Sequence, residues 1–304
     1  MQNELKYSLR RIRIRIIRYL VSKKLIKRSF KSSYPYISGD SFRACSIHIY
    51  DEIEELNPKK VNFKDIVFVK SDLLEKYFKT INPLINCKYI LITHNSDANI
   101  DKKISNYIDE KIIRWYAQNV QVSHNTISPL PIGLENLHHY QNGRVDLFDN
   151  YKDLCIEKSN TILFGFNVHT NPLERQKALD ALEAHSCAVK INKWCGPEAY
   201  LDTLSRHKFV ASPEGNGIDC HRTWEAIYLG VVPIVTRTVL SEYFYDLGLP
   251  ILLITDWGEL NDIDEKYLNQ FYTKHLNRFS SEYIWADAWL DCISSGNDPL
   301  SKLN

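Results

Sequence analysis

The sequence contains no stretch approaching the ~20 consecutive apolar residues that a membrane-spanning helix needs. No continuous apolar segment follows its early basic residues, so we expect no secretory signal peptide. Its seven cysteines are odd in number and include no Cys-x-x-Cys pair, which favours neither a disulfide framework nor a zinc site. Internal repeats and low-complexity tracts are also absent from the sequence. Together these absences predict a globular protein of a reducing cytoplasm.

Length and composition fit a chain of two domains. The 304 residues are enough for two domains of ordinary size, and 44% apolar with 25% charged residues is typical of soluble proteins. Short apolar runs alternate with segments of helical spacing, which predicts α/β domains built on parallel sheets. We expect strands at residues 66–69, 89–92, 112–116 and 127–132, and then at 161–166, 187–191, 209–211, 231–235 and 250–254.

The predicted domains are residues 34–150 and 151–280, followed by a closing helix within 281–304 that returns to the first domain. The polar, poorly periodic stretch 141–159 is the predicted linker. We expect residues 38–43, which include a glycine and two charges, to form a surface turn.

A basic arm precedes these domains. Residues 1–33 hold eleven of the 38 basic side chains and one of the 37 acidic ones, so the arm carries +10 and the remainder −9. Its apolar residues fall at helical spacing, which predicts an amphipathic helix that lies on an anionic membrane surface. A helix packed on the body and a nucleic-acid contact are the alternatives, and the alternation at residues 11–16 also fits a short strand. The apolar stripe consists of Leu5, Leu9, Ile12, Ile16 and Leu20.

The most informative segment spans residues 208–236. An apolar strand at 209–211 precedes a glycine-containing loop at 214–217, and a helix follows from its predicted N-cap Asp219 to Gly230. A second apolar strand completes the unit. Such a strand–loop–helix–strand unit places free backbone N–H groups at the carboxyl end of a parallel sheet, where doubly wound folds bind phosphorylated ligands.

Two charged residues of this helix lie three positions apart. Arg222 and Glu225 therefore share one helix face. A guanidinium can bind phosphate and a carboxylate can accept from ribose hydroxyls, so the pair predicts a nucleotide site. A surface ion pair is the alternative interpretation.

The segment resembles the donor-nucleotide signature of exostosin-like glycosyltransferases. In that family a strand and a small loop precede an Arg, a Glu-Ala-Ile run, a Gly and a Val-Pro-Ile-Val strand, and a further strand and helix follow. The resemblance covers roughly residues 160–260. Here the matching residues are Arg222, Glu225-Ala226-Ile227, Gly230, Val232-Pro233-Ile234-Val235, Leu249-Pro250-Ile251-Leu252-Leu253-Ile254, Asp256-Trp257 and Glu259-Leu260.

The resemblance implies the GT-B architecture, an α/β fold of two Rossmann-like domains, here with the basic amphipathic helix in front. It implies a nucleotide-sugar donor bound by the second domain and an acceptor approached from the first. Glu214 and Glu225 are separated by ten residues, whereas retaining enzymes often have seven between two glutamates, so we expect inversion. Residues 222–225 read Arg-Thr-Trp-Glu where fucosyltransferases carry Thr-Glu-Lys, which favours a UDP-sugar over GDP-fucose.

Donor-binding residues follow from this resemblance. Arg222 and Arg175 are the candidates for the diphosphate, and Glu225 for the ribose. We expect no metal and no other cofactor, because arginines and helix N-termini can stabilise the leaving diphosphate. The Asp-Ile-Asp triplet at 262–264 is interpreted as solvated surface. The loop residues predicted to lie beside the sugar and phosphates are Glu214, Gly215, Asn216, Gly217, Asp219 and His221.

A general base must deprotonate the acceptor hydroxyl. Asp97 is the first candidate and Glu135 the second, because both follow apolar strands that should end at the cleft. His94 and His221 come next. Polar residues at strand ends also serve simply as caps. The turn at 38–43 could contact the acceptor.

We therefore expect a glycosyltransferase that transfers a sugar to a glycan or lipid-linked acceptor in bacterial surface polysaccharide or lipopolysaccharide assembly. It would sit at the inner face of the cytoplasmic membrane through residues 1–33 and bind no nucleic acid. A nucleotide-sugar epimerase and a silent membrane-associated binding module are the alternatives. An epimerase would convert its sugar nucleotide without an acceptor, and a silent module would have no nucleotide affinity.

Overall fold

The computed structural model describes residues 32–139, 142–151 and 154–302. Residues 1–31, which make up nearly all of the predicted basic arm and its amphipathic helix, lie outside the described residues. Within the described ranges, no helix is both long enough and apolar enough to cross a lipid bilayer.

The first half of the chain forms a five-stranded parallel sheet in the order β1-β2-β3-β4-β5. Valine, isoleucine and aromatic residues make its central strands, and β3 is buried over its whole length, as expected for a parallel sheet covered on both faces. The strands are β1 (His48–Tyr50), β2 (Ile66–Lys70), β3 (Tyr89–His94), β4 (Ile112–Ala117) and β5 (Ile127–Pro129), and the helices are α1 (Gly39–Ala44), α2 (Leu74–Thr80) and α3 (Lys102–Ser105).

The second half forms another five-stranded parallel sheet, in the order β10-β9-β8-β6-β7. The chain runs from β6 to β7 on one side and then crosses to β8 on the other, so the order reverses between β6 and β8. Open α/β sheets bind ligands at such a reversal, outside the carboxyl ends of the strands. The strands are β6 (Ser159–Phe164), β7 (Ala188–Lys190), β8 (His207–Ala211), β9 (Val232–Thr236) and β10 (Leu252–Ile254).

Two parallel sheets with helices between their strands confirm the predicted α/β class. The helices of the second half are α4 (Val145–Asp149), α5 (Pro172–Ala184), α6 (Pro197–Ser205), α7 (His221–Tyr228), α8 (Val239–Asp246), α9 (Glu265–Lys274) and α10 (Ala286–Ser295).

The start of α7 differs from the prediction. Asp219 is not the N-cap; Cys220 occupies that position, and its side chain makes no capping hydrogen bond. The Asp219 carboxylate instead accepts from the Ile132 backbone N–H at 2.7 Å and the Trp224 indole N–H at 2.9 Å. A capping prediction considers only the local backbone, and here donors from elsewhere in the fold compete for the carboxylate.

Two irregular segments of the prediction are ordered elements. Residues 38–43 are not a surface turn: Ser38 caps α1, and residues 39–43 are buried. The predicted linker at 141–159 contains α4, whose Leu147 and Phe148 are buried in the core of the second half. Residues 38–43 are buried through Phe42 and through the ion pairs of Arg43 with Asp51 and Glu54, whereas apolar side chains bury α4.

The closing helix begins later than predicted, at Ala286, after a 3₁₀ turn at Glu282–Ile284. Its Trp289 and Ile293 share one apolar cluster with Ile90 and Ile92 of β3. The chain end thus packs on the first sheet, while α7 and α8 contribute to the same cluster.

Candidate functional site

Two adjoining cavities lie at the carboxyl ends of the sheets, with volumes of about 490 and 300 Å³. We call the larger the first-sheet cavity, because the loops after β3 and β4 line it, and the smaller the switch cavity, because it includes Gly165 after β6 and the loop after β8. Asp97, Ile132 and His221 line both cavities. A ligand in one cavity would therefore approach a ligand in the other.

Arg222 and Glu225 both line the switch cavity. The Arg222 guanidinium donates to the Gly165 carbonyl at 2.9 Å and lies 5.9 Å from the centre of the Phe166 ring. Partners on one side fix the guanidinium and leave it part-exposed at the cavity wall. The predicted pair thus faces a hollow between the halves rather than open solvent.

The Glu225 carboxylate is only 7% exposed, yet no described residue donates a hydrogen bond to it. Burial raises the pKa of Glu225 to about 7, Arg222 opposes this rise, and Glu135 adds to it. Buried carboxylates are normally hydrogen-bonded. A carboxylate in this state, at the wall of a cavity, is suited to accept from ligand hydroxyls.

Arg175 lies at the same cavity and is 8% exposed. It donates from Nε to the Glu214 carbonyl at 2.8 Å and from Nη1 to the Asn167 carbonyl at 3.0 Å. Burial and then the neighbouring Arg222 lower the pKa of Arg175. Two guanidiniums close to one another leave a local excess of positive charge, which an anion would relieve.

The predicted loop after β8 curls along the switch cavity. The Asn171 side chain donates to the Gly215 carbonyl at 3.2 Å, and Gly215 N donates to the Gly217 carbonyl at 3.0 Å. Asn216 reaches across to Asp97, with 3.2 Å between its Nδ2 and the carboxylate. Backbone bonds and contacts from both halves therefore hold this loop in place.

Glu214 and Asp219 differ from the prediction for this loop. Glu214 does not line either cavity, and burial together with Glu174 raises the pKa of its carboxyl to about 7. Asp219 lines the switch cavity, but protein donors occupy both of its carboxylate oxygens, and burial raises its pKa to about 7. Asp219 joins the two halves and offers little to a ligand.

The structure separates the four base candidates. Asp97 is exposed at the junction of the cavities. Glu135 lines neither cavity and accepts from Asn142 N at 2.8 Å. His94 is buried with both ring nitrogens engaged: Nδ1 accepts from Asn95 N at 2.8 Å and Nε2 donates to the Pro131 carbonyl at 3.0 Å. Burial lowers the pKa of His94 to about 4, so its ring is neutral near pH 7 where it lines the first-sheet cavity.

His221 stands at the first residue of α7. Its Nδ1 donates to the Gly133 carbonyl at 2.7 Å, which leaves Nε2 as the acceptor nitrogen of the neutral ring. No described residue contacts that nitrogen through a hydrogen bond. Asp97 and His221 are thus the two candidates that the fold brings to both cavities.

Several residues in or near the switch cavity were not predicted as site residues from the sequence. Trp194 and Tyr200 line it together, with ring centres 5.4 Å apart, and the buried Tyr200 hydroxyl has no hydrogen-bond partner in the described part of the chain. No local motif marks these two aromatics. Asn119 lines neither cavity but supports the loop, because it accepts from Asp219 N at 3.2 Å; it could have been found, since it follows the apolar strand β4 just as Asp97 follows β3.

A polar network supports the first-sheet cavity. The fully buried Asp40 carboxylate lies 3.0 Å from His138 Nδ1, and Asp40 N donates to the Asn136 side chain at 2.8 Å. Asn136 donates in turn to Asn95 at 2.9 Å. This network positions Asn95 and Asn136 on the cavity wall. Over the described ranges, no three His, Cys, Asp or Glu side chains converge as a metal-binding group.

No family model matches the sequence, and neither does any curated protein. Several solved structures are similar in shape, among them the following two. An apo structure of OtsA is 10% identical, with 78% of this chain and 71% of that chain covered and a TM-score of 0.40. A structure of E. coli heptosyltransferase WaaC with ADP is 10% identical, with 70% and 73% covered and a TM-score of 0.28. At these scores the likeness carries no inference about activity, and the architecture rests on the chain's own strand order.

Proposed function

We propose that the protein is a glycosyltransferase that moves a sugar from a nucleotide-sugar donor, a UDP-sugar in the first instance, to a hydroxyl of a glycan or lipid-linked acceptor. One observation carries the proposal. In the switch cavity a buried carboxylate to which no described residue donates a hydrogen bond, Glu225, lies one helical turn from a part-exposed guanidinium, Arg222. A nucleotide could bind both groups, because its ribose hydroxyls would donate to the carboxylate and its phosphates would accept from the guanidinium.

The donor would lie along α7. Its diphosphate would meet Arg222 and the positive end of the eight-residue helix, with Arg175 adding charge from behind the loop. Trp194 and Tyr200 line this cavity, where an aromatic ring and a hydroxyl suit stacking and a hydrogen bond to the nucleoside. These groups would stabilise the charge that develops on the leaving diphosphate, which is why we propose transfer without a metal ion.

The acceptor would enter the first-sheet cavity, whose wall consists mostly of amides, imidazoles and carboxylates. Asp97 is at the junction with the switch cavity, where the acceptor hydroxyl would meet the sugar. We assign the general base to Asp97 and propose inversion at the anomeric carbon. The carboxylate takes the hydroxyl proton as the new bond forms and the bond to the diphosphate breaks.

A thermal-shift panel of UDP, GDP, CDP and CMP tests the donor site. A ligand that binds only the folded protein raises its melting temperature with saturation, and we expect UDP to do so most. Glu225→Gln and Arg222→Gln should abolish the shift, whereas Glu242→Gln, at an exposed carboxylate of α8, should retain it. No shift with any nucleotide would remove the proposal and favour a silent binding module.

Substitution of Asp97 tests the assignment of the base. Asp97→Asn should lower kcat by about 10²–10⁴-fold while the nucleotide affinity stays unchanged, because only the proton acceptor is lost. Full activity in Asp97→Asn, together with a collapse in His221→Gln, would move the role to His221.

Three narrower expectations are also proposals. They are membership of the exostosin-like family, a role in bacterial surface polysaccharide or lipopolysaccharide assembly, and residence at the inner face of the cytoplasmic membrane through the arm at residues 1–33. Their support is the motif of α7 and the charge of the arm. Deletion of residues 1–31 should reduce binding to anionic vesicles and leave UDP affinity intact.

A further inference from the structure

Three large apolar side chains are exposed at the amino end of the first sheet. Ile47, Phe63 and Leu84 are 62%, 63% and 56% exposed. Single exposed apolar residues are common on protein surfaces and need no explanation. A group of them in one place marks a surface that another apolar phase covers.

The backbone shows that these residues share one edge. Ile47 N donates to the Ile66 carbonyl at 3.0 Å, and Lys64 N donates to the Lys88 carbonyl at 2.8 Å, so the segments entering β1, β2 and β3 lie side by side. The 3₁₀ turn at Pro58–Lys60 contacts the turn at Asn82–Leu84. We call this surface the amino edge.

The amino edge is also basic. Lys59, Lys60, Lys64 and Lys88 are exposed, and within the described ranges none of these four forms an ion pair. Lys64 Nζ lies 5.7 Å from the centre of the Phe63 ring, so charge and apolar surface are interleaved.

The acids of this edge do not cancel that charge. Asp65 is engaged with His48 at 2.8 Å and with Asn62 N at 2.8 Å, and Asp109 lies 3.5 Å from Lys111. The exposed Glu110 precedes β4 at the same end of the sheet, next to the start of β3, where Tyr89 N donates to the Lys111 carbonyl at 2.8 Å, so it offsets only one of the four lysines. The four lysines therefore face solvent as a net positive group.

We infer that the amino edge docks on an anionic lipid bilayer. Its apolar tips would enter the interface and its lysines would meet the headgroup phosphates, as in other peripheral proteins that combine the two. A nucleic acid, or a protein surface made of acidic side chains alone, would satisfy the lysines but would leave Ile47, Phe63 and Leu84 in water. The residues of this contact are not those of the arm at 1–31, and both cavities lie at the opposite ends of the strands.

Vesicle flotation of the full chain tests the inference, with phosphatidylcholine–phosphatidylglycerol vesicles against pure phosphatidylcholine. Each lysine near an anionic surface changes affinity by about fivefold, so Lys64→Gln/Lys88→Gln should weaken binding at least about tenfold. Phe63→Ser should weaken it as well. The matched controls are Lys266→Gln/Lys274→Gln on α9 and Leu173→Ser on α5, where Leu173 is 84% exposed. Every variant keeps residues 1–31, so a difference between variants reports on the amino edge.

Insertion is measured with Phe63→Trp, compared with Leu173→Trp over the same background of native tryptophans. Brominated acyl chains should quench the added emission at position 63 and not at 173. The inference is overturned if Lys64→Gln/Lys88→Gln and Phe63→Ser both bind the anionic vesicles as tightly as the wild-type protein does. It is overturned too if acyl-chain quenchers do not reach position 63, or if the lysine variants lose affinity for heparin and keep it for vesicles. UDP thermal shifts of the same variants confirm folding and are independent of the outcome.

Discussion

At the scale of single residues, three carboxyls with similar chemistry have different roles. Burial raises the pKa of Glu214, Asp219 and Glu225 to about 7 in each case. Protein donors surround Asp219, whereas no described donor reaches Glu225. The folded protein thus stabilises Asp219 by its own hydrogen bonds and leaves Glu225 for a ligand.

Glu225 should make stability depend on pH. Its pKa rises from 4.5 unfolded to about 7 folded, so between these values the folded protein holds a proton that the unfolded chain has released. Its contribution is therefore fully present below about pH 4.5 and is lost as the pH rises through about 7, a change on the order of 3 kcal/mol.

Melting curves of Glu225→Gln and wild type check this prediction. The variant should gain in melting temperature over the wild type as the pH rises from 4.5 to 7.5, because glutamine does not ionise. Glu214, Asp219 and His94 titrate in both proteins, so their contributions to the pH dependence cancel when the two melting temperatures are subtracted. A difference in melting temperature that stays constant from pH 4.5 to 7.5 would contradict the raised pKa of Glu225.

Tyr200 gives a second prediction at this scale. Within the described residues its buried hydroxyl makes no hydrogen bond of normal geometry, which costs about 1–3 kcal/mol in the ligand-free protein. Tyr200→Phe should therefore raise the free energy of unfolding by about 1 kcal/mol and weaken UDP binding. Denaturant titration and calorimetry measure the two effects, and a variant that lost both stability and affinity would show a merely structural role.

At the scale of elements, the loop between β8 and α7 connects the two halves. Gly217 is packed so closely on Asn119 that an added Cβ would lie 2.5 Å from its side-chain nitrogen. Asn119 is fully buried, accepts from Asp219 N and has a φ of 55°, so it cannot move aside freely. The loop is glycine-containing for packing as well as for access to a ligand.

Gly217→Ala should therefore destabilise the protein by about 1–3 kcal/mol. In an Asn119→Gly background, where glycine suits the positive φ and removes the obstructing side chain, the same substitution should cost less. A double-mutant cycle by urea denaturation measures the coupling. If the free-energy costs of Gly217→Ala and Asn119→Gly simply add, the Asn119 side chain is not the group that opposes the added Cβ.

At the scale of the whole molecule, α10 connects the chain end to the first sheet. The Tyr116 hydroxyl of β4 lies 2.6 Å from the carbonyls of both Cys292 and Asn297. Trp289 is fully buried in a cluster that also includes β3 and α7. Stability of the two halves is therefore coupled.

Trp289→Ala should cost about 3–5 kcal/mol and reduce the protection of amides in both β3 and β9. Hydrogen exchange with mass spectrometry resolves the two strands. Trp194→Ala, at a half-exposed site, should leave both protected. If amide protection falls in only one of the two sheets, the two halves unfold independently.

The sequence predicted the elements whose signals are local. Short continuous apolar runs located nine of the ten strands in the described residues, all except β1. The three-residue spacing of Arg222 and Glu225 placed both on one helix face, and both line the switch cavity. Helix and strand periodicity are properties of neighbouring residues, so they can be read without the fold.

Tertiary packing decided the rest. Asp219 is not the predicted N-cap, because its carboxylate accepts from the Ile132 N–H, 87 residues away. His94 is buried, and its Nε2 donates to the Pro131 carbonyl. Trp194 and Tyr200 joined the cavity without any motif. Such roles depend on which distant donors, acceptors and apolar surfaces come into contact, and hydrogen bonding and burial at those contacts are set only when the two sheets pack against each other.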